Sequence, residues 1–156
     1  MAPVTRRPGP LLSPGMAAAV DVIDAYIQAL PGERRRIAHA EWGVTLDAEH
    51  AAGWPLDVGL RVAEGLLTVK AHALTDPEQL DPWMLLWWNR STRMVRFGAN
   101  QAREVWVHGD LPAAAIDERA LDRLLGLVVE GAIAVRDFQR AKREPARRDD
   151  GWLSVD

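Results

Sequence analysis

The chain has 156 residues, of which 48% are apolar and 26% charged, and it carries a net charge of -3. That balance fits one globular domain with tails and excludes a wholly disordered chain. It also argues against general nucleic-acid binding, which needs a surplus of cations to displace counterions from phosphates. There is no cysteine, so disulfides, thiol nucleophiles and cysteine-ligated zinc are excluded together.

Residues 1–12 contain three prolines and a glycine and show no periodic apolar face; the expectation is a flexible N-terminal arm. Arg6 and Arg7 are followed by PGPLLSPG, and Asp21 and Asp24 interrupt the next apolar segment. No signal peptide is expected from that pattern, and no run approaches the roughly 18 apolar residues of a membrane span. Cytoplasmic residence is the expectation.

Ser13 and Pro14 read as the N-cap and first residue of a helix, since the hydroxyl accepts an orphan amide and proline has none to leave unpaired. Met16, Ala19, Val20, Ile23, Tyr26, Ile27 and Leu30 then recur at spacings of three and four, forming one stripe with Asp21, Asp24 and Gln28 outward. Pro31 and Gly32 stop it. Glu33 to Ala40 is expected as a short helical turn with Arg34, Arg35 and Arg36 in solvent, and Trp42 to Asp47 as a first strand.

From Leu56 the pattern alternates. Leu56, Val58, Leu60 and Val62 point one way, Asp57, Gly59 and Arg61 the other. Glu64-Gly65 fits a two-residue hairpin turn, and the register that follows sets Val62 against Leu67, Leu60 against Val69 and Val58 against Ala71. The same register places Asp57 opposite His72, the one pair that invites an enzymatic or ligand-binding reading; an exposed cross-strand ion pair is the commoner outcome.

A second helix is expected from Pro77 or Glu78 to Arg90. Its WMLLWW run covers every side of a helix, so one face against a sheet cannot bury it all. Either flanking helices or a partner subunit must cover the remainder. Met94 to Asn100 and Glu104 to His108 read as a second hairpin with Asn100, Gln101 and Ala102 as its loop, Val95 against Val107, Phe97 against Val105 and Arg96 against Trp106 as a cation-π contact. Asp117 caps a last helix of about 26 residues, roughly 39 Å, with Leu121, Leu124, Leu125, Val128, Ala132 and Val135 on its stripe. Gly126 and Gly131 each cost it about 1 kcal/mol against alanine and suggest close approach by a neighbour. Residues 144–156 read as a flexible charged C-terminal tail in which Trp152 and Leu153 are the only large apolar side chains other than Val155.

The reading is therefore an α+β domain over 13–143, one antiparallel sheet of about five strands with helices packed on it, in the order α-β-β-β-α-β-β-α. Within it, Asn89-Arg90, the strand ending in Phe97-Gly98, the Val107 to Pro112 exit with its Leu-Pro, and Leu121-Asp122-Arg123-Leu124-Leu125-Gly126 resemble the actinobacterial branch of the YbjN family. These words span residues 85–132, and the element order extends the likeness over most of the domain. The family's fold is similar to class I type III secretion chaperones, so the resemblance implies a non-enzymatic binding module, chaperone-like or regulatory and commonly dimeric.

Catalytic signatures are missing from the sequence. His39, His50, His72 and His108 show no metal-ligand spacing, and there is no GxSxG elbow, phosphate-binding loop or dinucleotide fingerprint. The expectations are no cofactor, no metal, no nucleic acid and no membrane. The expected interface for a homodimer or for a protein or peptide partner comprises Trp83, Leu86, Trp87, Trp88, Arg90, Arg96 and Trp106. The alternative is a small enzyme or ligand-binding protein with its site around His72 and Asp57.

Overall fold

The computed structural model describes residues 13–78 and 80–143; the expected arm and tail lie outside them. Helix α1 (Pro14–Ala29) is followed by strands β1 (Glu33–Ala38), β2 (Glu41–Leu46), β3 (Leu56–Ala63) and β4 (Leu66–Leu74). Helix α2 (Pro82–Asn89), strands β5 (Val95–Ala99) and β6 (Val105–Pro112) and helix α3 (Glu118–Arg143) complete the chain. The six strands form one antiparallel sheet in the order β1-β2-β3-β4-β6-β5.

Both outer helices begin as their sequences dictate. Ser13 Oγ accepts from the Met16 amide at 3.4 Å with Pro14 at the first position, and Asp117 Oδ1 accepts from the Ala120 amide at 2.7 Å. Ile23 and Ile27 of α1 and Leu121, Leu124, Val128 and Val135 of α3 pack with the inward side chains of the sheet into one core. Tyr26 ties the helices together by donating to Asp122 Oδ1 at 3.0 Å. Burial, with help from Asp122, pushes that phenol up to about 12.

The hairpin between β3 and β4 has the expected register: Val62 pairs with Leu67, Leu60 with Val69 and Val58 with Ala71. Glu64 and Gly65 both adopt positive φ, +51° and +75°, the geometry of a two-residue turn whose twist matches the strands. Trp42 of β2 is buried against Leu60. Its indole donates to Asp24 Oδ1 at 2.6 Å, so Asp24 turns toward the sheet instead of outward, as a buried tryptophan N–H requires.

Several expectations are corrected. Glu33–Ala38 is an edge strand, not a helical turn, and makes the sheet six-stranded. Every residue in it is exposed, so no alternation marks it; charge is what keeps such an edge from pairing with other chains. Helix α2 starts later than expected, at Pro82, with Asp81 Oδ1 accepting from the Trp83 amide at 3.0 Å.

The second hairpin is shifted by two residues. Val95 pairs with Gly109, Arg96 with His108, Phe97 with Val107 and Ala99 with Val105. The loop is longer because Asn100 clasps Glu104, its Oδ1 accepting from the Glu104 amide at 3.0 Å, while Arg103 turns at φ +64°. A two-residue slip keeps each side chain on its face, so alternation alone does not detect it. Of the two glycines in α3, Gly131 is closely approached, an added Cβ lying 3.1 Å from Val107 Cγ1, whereas nothing lies within 4 Å of one on Gly126.

Candidate protein-binding surfaces

Helix α2 packs one face inward. Leu85 is buried, Met84 and Trp88 are half-buried, and Trp88 meets both Phe97 and Phe138 edge-on with centroids 5.6 Å apart. Asn89 fastens the end of the helix to the outer edge of β5. Its amide donates to the Phe97 carbonyl at 3.0 Å and its Oδ1 accepts from the Phe97 amide at 2.8 Å. That pair occupies ladder positions a seventh strand would otherwise take.

Among the described residues nothing covers the opposite face of α2. Trp83 is 76% exposed, Leu86 56% and Trp87 65%, and with exposed Arg90 they fall at i, i+3, i+4 and i+7, a single helical stripe. Taking about 250 Å² for a whole tryptophan, the stripe offers on the order of 400 Å² of apolar surface, the size of the largest patch on a typical monomer, which is often functional.

The other expected interface residues are distributed elsewhere. Trp88 faces the core. Arg96 and Trp106 lie on the sheet face turned away from α1 and α3, where Arg96 binds Asp110 Oδ2 at 2.6 Å. Trp106 does not meet Arg96; it stacks on His72 with centroids 4.7 Å apart and planes 16° from parallel. The shift in register is the cause, because Trp106 pairs with Gly98 on one side and His72 on the other.

Asp57 and His72 do not form the pair that an enzymatic reading needs. Asp57 accepts from Thr45 Oγ1 at 2.6 Å and lies 3.8 Å from Arg35. His72 points its Nε2 toward Glu104 at 3.8 Å, and that nitrogen is buried without a hydrogen bond. Among the described residues no group of three or more His, Asp or Glu side chains is placed to hold a metal, and no helix is long and apolar enough to cross a membrane.

One buried polar site escaped the sequence reading altogether. Arg136 of α3 is 1% exposed, and its guanidinium donates to the carbonyls of Ala73, Ala51, Trp54, Pro55 and His72 at 2.6–3.3 Å. The Trp54 ring lies 4.5 Å from its central carbon. Burial lowers its pKa to about 10, against the opposing pull of Asp57. Gln139 donates to Asp76 O at 2.7 Å and Arg140 to Ala52 O, so this end of α3 clamps the β2–β3 loop and the end of β4. The signal was the spacing: Arg136 and Gln139 continue the stripe from Val128 and Ala132.

No family model and no curated protein matches the chain. Solved structures do. A chain of the HopA1–SchA chaperone–effector complex aligns at a TM-score of 0.62 and 12% identity, covering 81% of this chain and 99% of that one. A chain of the complex between the Yersinia pestis type III secretion chaperone SycH and a stable fragment of YscM2 aligns at 0.56 and 14%, covering 77% and 98%. A chain of the ExoU–SpcU complex from the type III secretion system of Pseudomonas aeruginosa aligns at 0.54 and 18%, covering 74% and 95%. The fold is that of the type III secretion chaperones. At these identities the likeness concerns architecture, and function must come from the surfaces.

Proposed function

We propose that the chain is a non-enzymatic protein-binding module, chaperone-like or regulatory, that acts in the cytoplasm as a homodimer and engages a protein or peptide partner. The observation that carries this is the uncovered stripe of Trp83, Leu86, Trp87 and Arg90 on α2. The neighbours' chaperone fold supports it, as does the description of one of them as a chaperone–effector complex. The resemblance of residues 85–132 to the actinobacterial branch of the YbjN family favours the same reading.

An interface of standard size needs about 800 Å² per partner. The stripe supplies about half of that, so residues around it complete the contact. Tryptophan and arginine are also the side chains that most often carry interface energy.

Sedimentation velocity at micromolar concentration tests the proposal. The wild-type chain is expected to run as a dimer and the Trp83→Glu/Trp87→Glu variant as a monomer with unchanged circular dichroism. A wild-type chain that stays monomeric, and whose double variant captures the same partner as wild type, removes α2 from the interface.

A further inference from the structure

A groove separates α3 from the segment that links α2 to β5. Its volume is about 580 Å³, and Trp88, Val95, Phe97, Leu127, Gly131 and Ala134 give it an apolar lining, the size and character of a ligand cleft. Small residues on α3 keep it open. Gly131 sits so close to the sheet that an added Cβ would lie 3.1 Å from Val107 Cγ1 and 3.6 Å from the Phe97 ring, and Ala134 offers only a methyl group. The groove is separate from the exposed α2 stripe, because Trp88 belongs to the inward face of that helix.

The groove leads to the point where the chain leaves α3. Leu127, Gly131, Ala134, Phe138 and Lys142 follow one another at spacings of three and four, a single stripe that ends in the last turn. Phe138 meets Trp88 edge-on and Lys142 lies 5.4 Å from the Phe138 ring, so the aromatic lining continues toward Arg143. Nine residues beyond Arg143 comes Trp152, followed by Leu153; with Val155 they are the only large apolar side chains after α3. Nine extended residues span up to about 30 Å. Gly131 and Leu127 lie roughly 18 and 24 Å back along the helix from Arg143, so the tail reaches both.

Charge follows the same path. Past Arg140, going back along α3, the exposed charges are Asp137, Glu130 and Arg123, at seven-residue intervals on one side of the helix. Arg93 lines the groove from the other side. Neither Arg93 nor Arg123 has an ion pair among the described residues. A chain doubling back over this path presents the complementary order: Arg147 and Arg148, then Asp149 and Asp150, then Trp152 and Leu153.

We propose that the groove is the docking site of Trp152 and Leu153 of the same chain, which doubles back over α3 and closes the margin between α3 and residues 91–95. The two apolar side chains enter between Trp88, Phe97 and Leu127, and Asp149 and Asp150 meet Arg93 and Arg123. A tethered group faces its site at an effective concentration in the millimolar range, so the chain's own segment displaces a free apolar ligand of equal fit. The proposal goes beyond the protein-binding reading and rests neither on the outer face of α2 nor on a dimer.

The test uses the isotopically labelled full chain in NMR. Cross-relaxation from the Trp152 indole to the Leu127 and Ala134 methyl groups is expected, unchanged on dilution. It should persist in the Trp83→Glu/Trp87→Glu variant and vanish in Ala134→Glu, whose added side chain fills the groove from an exposed position. A synthetic peptide spanning residues 147–156 should bind the Trp152→Ala/Leu153→Ala variant at least about tenfold more tightly than wild type, where the tail already occupies the site.

The docking is overturned if those contacts are absent, survive Ala134→Glu, fall on Trp83, Leu86 or Trp87 instead, or pass only between labelled and unlabelled chains of a mixed sample. Equal peptide binding by the two proteins, or none by either, overturns it as well. Any of these results leaves the protein-binding reading standing, since that reading is decided by sedimentation of the α2 variant.

Discussion

Helices α2 and α3 both pack on the same side of the sheet, yet their outer faces are opposites. Exposed Arg119, Asp122, Arg123, Glu130 and Asp137 give α3 a solvated outer surface, and its apolar stripe is consumed by the core. Helix α2 is barely more than two turns long and has no polar residue before Asn89 at its end. It buries Leu85, lodges Trp88 between Phe97 and Phe138, and leaves two tryptophans and a leucine in water. The lesson is that apolarity alone did not decide burial. A helix of eight residues at the sheet margin presents one face to the core whatever its composition, and the surplus becomes surface.

The largest effect that probes this contrast lies at the buried end of α3. Arg136→Met keeps a long apolar stem but strips five carbonyls of their donor. A loss of at least about 3 kcal/mol in urea-denaturation stability is expected. An unchanged midpoint would mean that α3 is held by its apolar stripe alone.

Next comes a pair on α2. Trp88→Ala should cost roughly 2–3 kcal/mol by emptying the space between Phe97 and Phe138, while Trp87→Ala should stay within about 0.5 kcal/mol of wild type in the same measurement. Equal losses would show that the outer face is covered after all.

A third pair sharpens the role of α3 as a close-packed element. Gly109→Ala would set a Cβ 2.5 Å from Leu124 Cδ1 and 3.2 Å from the Met94 carbonyl, so a thermal-melt loss equivalent to about 1–3 kcal/mol is expected. Gly126→Ala meets open space on the exposed face of α3 and should gain up to about 1 kcal/mol.

The smallest effect concerns the open sheet face. Burial raises the Asp110 carboxyl, but hydrogen bonds from Arg96 and Thr68 outweigh it and hold the group below its ordinary value. A depressed carboxylate stabilises the fold above its unfolded pKa of about 3.9, and that contribution disappears as pH falls through the folded value. Asp110→Asn should therefore lose less stability than wild type on acidification below about pH 4, measured as the urea midpoint against pH.

Legibility from sequence followed the range of the forces involved. The β3–β4 hairpin was readable to the residue, because a two-residue turn fixes the register locally and both faces then agree. The β5–β6 hairpin was readable only in its faces, because the Asn100–Glu104 clasp lengthened the loop by an amount that alternation does not sense. The interface candidates followed the same rule. Trp83, Leu86, Trp87 and Arg90 share the stripe that helical spacing implies, while Trp106 and Arg96 were assigned a contact that depended on the misread register.

The sequence by itself determined the α+β class, the caps of the outer helices, the face of each strand in the two hairpins and the excess of apolar surface on α2. All of these depend on neighbours within a few positions along the chain. Tertiary structure alone decided that Glu33–Ala38 is a strand, since an exposed edge carries no alternation and is defined by pairing with β2. It also decided that Arg136 is buried, since its carbonyl partners lie 63–85 residues away in the chain, and that Asp57 and His72 are spent on different neighbours. Backbone groups carry no residue code, so contacts made to them from a distance leave no mark in the sequence.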